Sequence, residues 1–317
     1  MSKKYFLTII IAAYNIENYI DECLNSLGFK NISVEIIVIN DFSNDLTKVI
    51  LDKYSDIKII NLKKNIGISE VRNLGIKIAK GEYITFIDGD DYIKSEILEE
   101  FLLNYKLKPN VDVLIGNYIN FYENKNLYLA NKVQNEIFGD FFVGEEVVEK
   151  YLLNTVSGSV WKGIYKLSFL QKASIRFMKD VTIAEDLEWL IRVLLLANKV
   201  VIDTSKTYYV YRTRENSVMN SNFSKKKYED SLKVTLSLLD LEKNNKNLNS
   251  TCRQKMHIIS LAVFLQAIGC YSAIQDYKNI KKISKMIYTG SVFYSSILFG
   301  LRLMPKIIIK LLRFKYS

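Results

Sequence analysis

The feature that most constrains this chain is a fourfold alternation of strand and helix patterns within about its first ninety residues. Phe6-Leu7-Thr8-Ile9-Ile10-Ile11 is a continuous apolar run, which suits a central parallel strand covered on both faces. A helix is expected from near Glu17, with Asn15 placed to cap it. Val34–Ile39 reads as a second strand, about Leu46–Tyr54 as a helix, and Ile57–Ile60 as a third strand. Apolar residues at helical spacing predict a helix from Ile68 to Ala79. Lys80-Gly81 is expected to stop it, because Gly takes a left-handed cap at little cost. Tyr83-Ile84-Thr85-Phe86-Ile87 is then a buried strand rich in β-branched and aromatic residues. Such alternation builds a doubly wound α/β sheet, which binds ligands beyond the carboxyl ends of its strands.

The residues expected at those ends carry chemistry. Tyr14 follows the first strand, where its ring can stack on a planar base. Asn40-Asp41-Phe42-Ser43-Asn44-Asp45 follows the second. Asp41 can accept hydrogen bonds from a base imide or a ribose hydroxyl, whereas Asn44 and Asp45 read more simply as helix caps. The strand at 83–87 runs into Asp88-Gly89-Asp90-Asp91. Three carboxylates this close repel unless they are solvated or share a cation. At a strand end, a hard divalent metal carrying a phosphate is the natural partner; the plain alternative is an acidic surface turn. No Gly-x-Gly-x-x-Gly follows the first strand and no Walker loop occurs. A nucleotide would therefore be held by base contacts and a metal rather than by a glycine cradle.

Composition narrows the partners. The 317 residues carry a net charge of +10, which fits an anionic ligand, nucleic acid or an anionic membrane surface. Cys23, Cys252 and Cys270 are too scattered for a metal site or a disulfide framework, which points to a reducing compartment. The single His257 lies in an apolar stretch and reads as a packed residue, so a histidine-based mechanism has little to draw on. Phe6–Ala13 is too short for a signal-peptide core, and a cytoplasmic location is expected.

Four stretches in order resemble the family 2 glycosyltransferases of the GT-A fold, the inverting kind that builds bacterial surface polysaccharides. They are Ile9–Asn15, Ile37–Asp45 (the family's Asp-Asp-Gly-Ser-x-Asp), Asn65–Gly81 (its Asn-x-Gly…Arg-Asn-x-Gly-Ile…Ala-x-Gly) and Asp88–Asp91 (its Asp-x-Asp). Ala12 stands where the family often has Pro, and Asn40 where it often has the first Asp. The resemblance implies that Tyr14 and Asp41 contact the base and that Arg72 lies near the nucleotide phosphates. It implies that Asp88 and Asp90 form the Mg²⁺ or Mn²⁺ motif, with Asp90 the direct ligand. The donor would be a nucleotide sugar, UDP-linked by preference, and the acceptor a saccharide or lipid-linked saccharide.

Further along, Val160–Lys166 resembles the family's Trp-Asn-Lys-Leu-Tyr-Lys segment, with Trp161 on the acceptor side and Lys162-Gly163 replacing the usual pair. Ile183–Trp189 contains the Glu-Asp motif in which the family places its catalytic base. The resemblance assigns that role to Asp186, with Glu185 as an orienting or acceptor-side residue; the plain alternative is two acids favoured by a helix N-terminus. Tyr211–Ser217 resembles a Tyr-Arg-x-Arg loop, in which Arg212 and Arg214 would meet diphosphate or a phosphorylated acceptor.

The expected organisation is a GT-A domain over residues 1–220, with a donor half to about 120 and an acceptor half from 121, and a helical extension over 221–317. Met256–Gln275 lacks Asp, Glu, Lys and Arg and reads as a buried helix, with a membrane-embedded one as the alternative. From Tyr277 to Ser317 there are nine basic residues and no acid. Leu301–Tyr316 sets Arg302, Lys306, Lys310 and Arg313 on one helical face against aliphatics, the pattern of an interfacial helix. Aliphatic rather than aromatic interleaving favours an anionic membrane, at the inner face of the cell membrane, over nucleic acid. The expected reaction is hexosyl or N-acetylhexosaminyl transfer by single displacement, with Asp186 as base. The alternative is a metal-dependent nucleotidyltransferase acting on a sugar phosphate.

Overall fold

The apolar run near the N-terminus forms β1 (Leu7–Ala13), which is followed by α1 (Ile20–Asn25), β2 (Val34–Asn40), α2 (Thr47–Leu51), β3 (Lys58–Asn61), α3 (Ile68–Ile78) and β4 (Tyr83–Asp88). The computed structural model describes residues 5–106, 111–130, 138–142, 144–148, 158–214 and 224–269. β1 pairs in parallel with β2 on one side and β4 on the other, and β3 lies parallel beside β2. The chain then adds β5 (Tyr92–Ile93), α4 (Ser95–Lys106), β6 (Val113–Tyr122), β7 (Leu127–Ala130), β8 (Phe138–Phe142) and α5 (Gly144–Val147). It continues through β9 (Gly163–Lys166), α6 (Leu167–Lys172), α7 (Glu185–Leu196), β10 (Val200–Thr213), α8 (Lys225–Asn244) and α9 (Ser250–Gly269). The sheet order is β3-β2-β1-β4-β9-β6-β10-β5, with β7 on β6 and β8 on β10. β9 runs antiparallel to both neighbours, so the parallel nucleotide-type half is joined to the second half through one reversed strand.

Alternation of side chains across the pleat explains the unbroken apolar runs. Ile10, Ile84 and Phe86 join a core with Ile76 of α3 and Trp189 of α7, whereas Leu7, Ile9, Ile11 and Ile87 join one with Ile20, Leu98 and Phe101 of α1 and α4. The expected strands at 6–11, 34–39, 57–60 and 83–87 and the helix at 68–79 are present with ends shifted by one or two residues.

Three local expectations are corrected. Gly81 does not take a left-handed cap; among the described glycines only Gly67 has positive φ. Its value is space, since a Cβ there would lie 2.5 Å from the Thr8 nitrogen and 2.7 Å from the Leu7 carbonyl carbon. Asn15 does not cap a helix at 17: α1 starts at Ile20, and the Asn15 side chain instead accepts from Asn44 N at 2.9 Å. Tyr211–Thr213, expected in a loop, continue β10 in register with Asn120–Tyr122 of β6.

The described part of the extension packs onto the same core. Val234, Leu238, Cys252, Met256, Ile259 and Val263 are buried with the α7 residues Trp189 and Leu190. His257 is buried against Glu242 at 3.3 Å, consistent with a packed residue. Among the described residues no helix is long and apolar enough to cross a membrane. The expected amphipathic helix at 301–316 and the end of the 256–275 stretch lie outside the described residues.

Candidate active site

The loops after β1 and β2 are latched together. Asn15 N donates to Ser43 Oγ at 3.0 Å, Glu17 N to Asp45 Oδ2 at 3.1 Å, and Asp41 N to the Ala13 carbonyl at 2.8 Å. Asp45 also accepts from Thr47 N at 2.9 Å, the helix-start role expected of it. Burial would raise its pKa, but the Thr47 hydrogen bonds outweigh that and hold it below the usual range. Asp41 is buried and accepts from Ile66 N at 2.7 Å and Gly67 N at 2.9 Å. Its carboxylate thus anchors the turn into α3, where Gly67 has φ 82. Asn40 is satisfied as a neutral amide: it donates to Asn61 Oδ1 at 2.8 Å and accepts from Ser43 N at 3.1 Å. Tyr14 stands on this rim with half its surface exposed.

β4 carries Asp88 to the adjacent edge, and Gly89 lets the turn pass close to β1, since a Cβ there would lie 2.9 Å from the Ala12 carbonyl oxygen. The acids that follow divide by environment. Asp91 is buried and accepts from Tyr209 Oη at 2.6 Å and Arg212 N at 2.7 Å. Burial, then the charge of Asp88, push its pKa well above the usual carboxylate range. Asp90 is partly open and ion-paired to Arg214. Arg212, expected on the phosphate side, is engaged by the protein: it binds Glu22 at 2.5 Å and Glu123 at 3.1 Å and donates to the Asp90 carbonyl at 3.0 Å. Tyr19, Tyr92 and Phe121 surround its guanidinium at 5.2–5.3 Å. Of the two arginines, Arg214 is the one whose ion pair lies on the Asp-x-Asp turn.

Arg72 joins this edge to α7. It is buried among Phe86 and Phe177. Nη2 donates to Asp88 at 2.9 Å, while Nη1 meets Glu185 at 3.3 Å and Asp186. The expectation that Arg72 lies near phosphates is refined: its described partners are three carboxylates, one of them Asp88. Ala184, at φ 58, occupies the left-handed region just before α7 and aims Glu185 and Asp186 inward. A non-Gly residue there costs about 1–2 kcal/mol and persists only where surrounding structure holds it. That hold is visible. Asp230 of α8 accepts from Thr182 N at 2.8 Å and Thr182 Oγ1 at 2.9 Å, and Ser69 Oγ donates to the Val181 carbonyl at 2.9 Å.

Both acids of α7 are raised in proton affinity by burial. Burial, then the charge of Asp186, push Glu185 up to about 8. Burial also raises Asp186, but Arg72 opposes it, and a hydrogen bond from Glu185 favours the ionised form. Of the two, Asp186 is the one in which the Arg72 guanidinium and the Glu185 hydrogen bond favour the ionised form, the form that a general base requires.

Trp161, expected at the acceptor, is buried and stacked on Tyr209 at 4.2 Å and Tyr211 at 5.6 Å. It braces β10 beside the site. Lys162 is buried near the Tyr118 ring at 5.5 Å, and burial pushes its pKa down to about 7. Glu188, unassigned from sequence, is buried and structural: Arg192 holds it at 2.7 Å and Ser237 donates at 2.7 Å. Sequence reasoning missed Glu22, Glu123, Tyr209 and Asp230. None sits in a spaced motif: Glu22 and Glu123 are identified by their ion pairs with Arg212, Tyr209 by its bond to Asp91, and Asp230 by its bonds to Thr182.

Among the described residues no cluster of three or more His, Cys, Asp or Glu forms a cation cage. The arginine bonds use Oδ1 of Asp88 and Oδ2 of Asp90, which leaves the second oxygen of each for a ligand. Two carboxylates completed by diphosphate oxygens and water are a donor set that suits Mg²⁺, so the residues fit a nucleotide-borne metal.

Parallel strands ending in acids at a switch point define an α/β ligand-binding domain. Residues 8–161 match the family model described as Glycosyl transferase family 2, and the chain carries a domain of that family. It is 30% identical over 223 residues to Glycosyltransferase GlyA of Streptococcus pneumoniae, covering 67% of this chain and 31% of that protein. It is 28% identical over 233 residues to Glycosyltransferase GlyG of the same species, covering 68% and 74%. To the poly(ribitol-phosphate) beta-N-acetylglucosaminyltransferase TarS of Staphylococcus aureus it is 29% identical over 223 residues, covering 68% and 37%. The chain thus spans about a third of GlyA and of TarS and about three quarters of GlyG. The crystal structure of S. aureus TarS 1-349 in complex with UDP-GlcNAc superposes with a TM-score of 0.65 at 22% identity, covering 94% of this chain and 85% of that one. That likeness establishes the mixed α/β fold with C-terminal helices.

Proposed function

We propose that the protein is an inverting glycosyltransferase that moves a sugar from a nucleotide donor, UDP-linked, to a hydroxyl of a growing or lipid-linked saccharide in cell-surface polysaccharide synthesis. The observation that carries this reading is the bridge by which Arg72 holds Asp186 beside Asp88, at the carboxyl edge of the parallel strands. The UDP and UDP-GlcNAc complexes of TarS support the donor class. Transfer of a sugar to a polymer is supported by the poly(ribitol-phosphate) in the name of TarS.

In the reaction the acceptor oxygen bonds to the anomeric carbon as the bond from that carbon to the diphosphate oxygen breaks. Asp186 takes the acceptor hydroxyl proton, and the nucleoside diphosphate leaves with the bonding pair. Attack opposite the leaving group inverts the anomeric centre. Glu185, which burial favours in its protonated form, donates to Asp186 and favours the ionised form of that carboxylate. Tyr14 and Asp41 receive the base. Asp90 and Asp88 are the residues that would hold Mg²⁺ or Mn²⁺, which when bound supplies positive charge against the leaving diphosphate. Arg214, partnered to Asp90, is placed to shift to phosphate oxygens when the donor enters. The basic segment after Tyr277 is assigned to the anionic inner leaflet of the cell membrane.

Two assays test the reading. Full-length protein is incubated with UDP-sugars, Mn²⁺ and saccharide acceptors, and the nucleotide product is identified. UDP release supports glycosyl transfer; pyrophosphate release from UTP and a sugar phosphate would assign it to the nucleotidyltransferases instead. Co-sedimentation with phosphatidylglycerol vesicles that weakens with salt supports the membrane assignment, and salt-insensitive absence of binding opposes it.

A further inference from the structure

Phe42 combines a backbone and a side-chain feature that the fold does not explain. Its φ is 64, in the left-handed region, where a bulky L-residue is strained. The motif that this loop resembles has Gly at the position, the residue for which that conformation is free. A Phe kept there is ordinarily offset by burying its ring, yet Phe42 is 54% exposed. The chain accepts both costs at one place.

That place is the rim assigned to the nucleobase. Phe42 follows Asp41, whose carboxylate is fixed by Ile66 N and Gly67 N. It lies across the latched loops from Tyr14, the other large aromatic exposed on this rim, at 51%. The latch sets the spacing: Asn15 N to Ser43 Oγ is 3.0 Å, Asn44 N to Asn15 Oδ1 is 2.9 Å, and Asn15 is itself left-handed at φ 52. An exposed, conformationally costly aromatic beside a fixed carboxylate suits a ligand with a flat apolar face and a hydrogen-bonding edge. Strain held at such a point is a pointer to binding.

We infer that Phe42 stacks on the nucleobase of the donor and, with Tyr14, brackets the base, supplying affinity that a Gly at this position cannot. The inference rests on the donor-site reading above. The contribution comes from the π-face of the base and is tolerant of its identity, while Asp41 reads the edge.

The test is calorimetric titration of full-length protein with UDP and, separately, with inorganic pyrophosphate as a base-free probe, both with Mn²⁺. Wild type, Phe42→Gly and Phe42→Tyr are compared. Phe42→Gly is expected to weaken UDP by about tenfold, to leave pyrophosphate unchanged and to keep the unliganded melting temperature, because Gly relieves the strained φ. Phe42→Tyr is expected to stay near wild type. Equal UDP affinity in wild type and Phe42→Gly overturns the inference, and would indicate that Phe42 serves a partner together with exposed Leu46 and Val49. Equal weakening of UDP and pyrophosphate also overturns it, because the effect is then on loop shape. If wild type binds neither probe, the donor-site reading fails and takes this inference with it.

Discussion

Arg72 donates to Asp88 across 2.9 Å, and through that bond α3 is tied to the end of β4. The same guanidinium reaches Glu185 and Asp186 on α7. A planar fork can serve both directions, whereas an ammonium is one point of charge. Arg72→Met leaves Asp88 and Asp186 clustered beside Glu185 without their cation and is expected to destabilise by about 3–5 kcal/mol. Arg72→Lys should recover only part of this. Urea unfolding of the three proteins measures the difference, and equal midpoints would contradict the hub.

Asp186→Asn keeps the shape of α7 and its bond to Val160 N but removes the proton acceptor. Sugar transfer should fall by about a hundredfold or more, while UDP affinity is retained. Transfer rates read alongside calorimetric UDP affinities distinguish loss of chemistry from loss of binding; near-normal turnover would rule out Asp186 as base.

Glu185 ties stability to pH. Its pKa is raised from 4.5 to about 8 by burial and by Asp186, so the folded protein holds a proton that the unfolded chain releases between those values. The folded state therefore binds more protons in that window, and stability declines as pH rises from about 4.5 through about 8. Glu185→Gln should flatten this decline. Denaturant midpoints at several pH values check it, and an unchanged slope would place the titration elsewhere.

Gly81 faces the Thr8 backbone at 2.5 Å for an added Cβ, and its N–H donates to Thr8 Oγ1 at 2.8 Å. Backbone cannot move aside as a side-chain end can. Gly81→Ala is expected to cost about 1–3 kcal/mol through overpacking, visible as a lower melting temperature. A neutral substitution would show that the β1–β4 edge relaxes.

Asp230 holds the loop before Asp186 from the helical extension, through two bonds to Thr182, and Lys226 meets its other oxygen at 2.6 Å. Asp230→Ala strands these donors and should destabilise by about 1–3 kcal/mol. It should also lower kcat more than it changes the donor KM. A loss confined to KM would separate α8 from the chemistry.

How much of this was legible depends on distance along the chain. The strands at the N-terminus were readable because burial on both faces writes itself as consecutive Ile, Val and Leu. The Asp-x-Asp turn was readable because its acids are adjacent. The helix cap assigned to Gly81 was not correct, because a glycine that spares a neighbouring strand looks in sequence like one that frees a dihedral angle. Arg212 and Trp161 were expected as site residues, but their ion pairs and stacking partners, which commit both to the protein, come from α1, the turn after β6, and β10.

Neighbouring residues and their period already carry the order of the N-terminal strands and helices, the family of the N-terminal domain and the acids at strand ends. The meeting of Arg72 with Asp186, 114 residues apart, exists only once the chain is folded. So do the raised proton affinities of Glu185 and Asp186 and the exposure of a strained Phe42. Burial and charge proximity are properties of the assembled chain, and no local pattern encodes them.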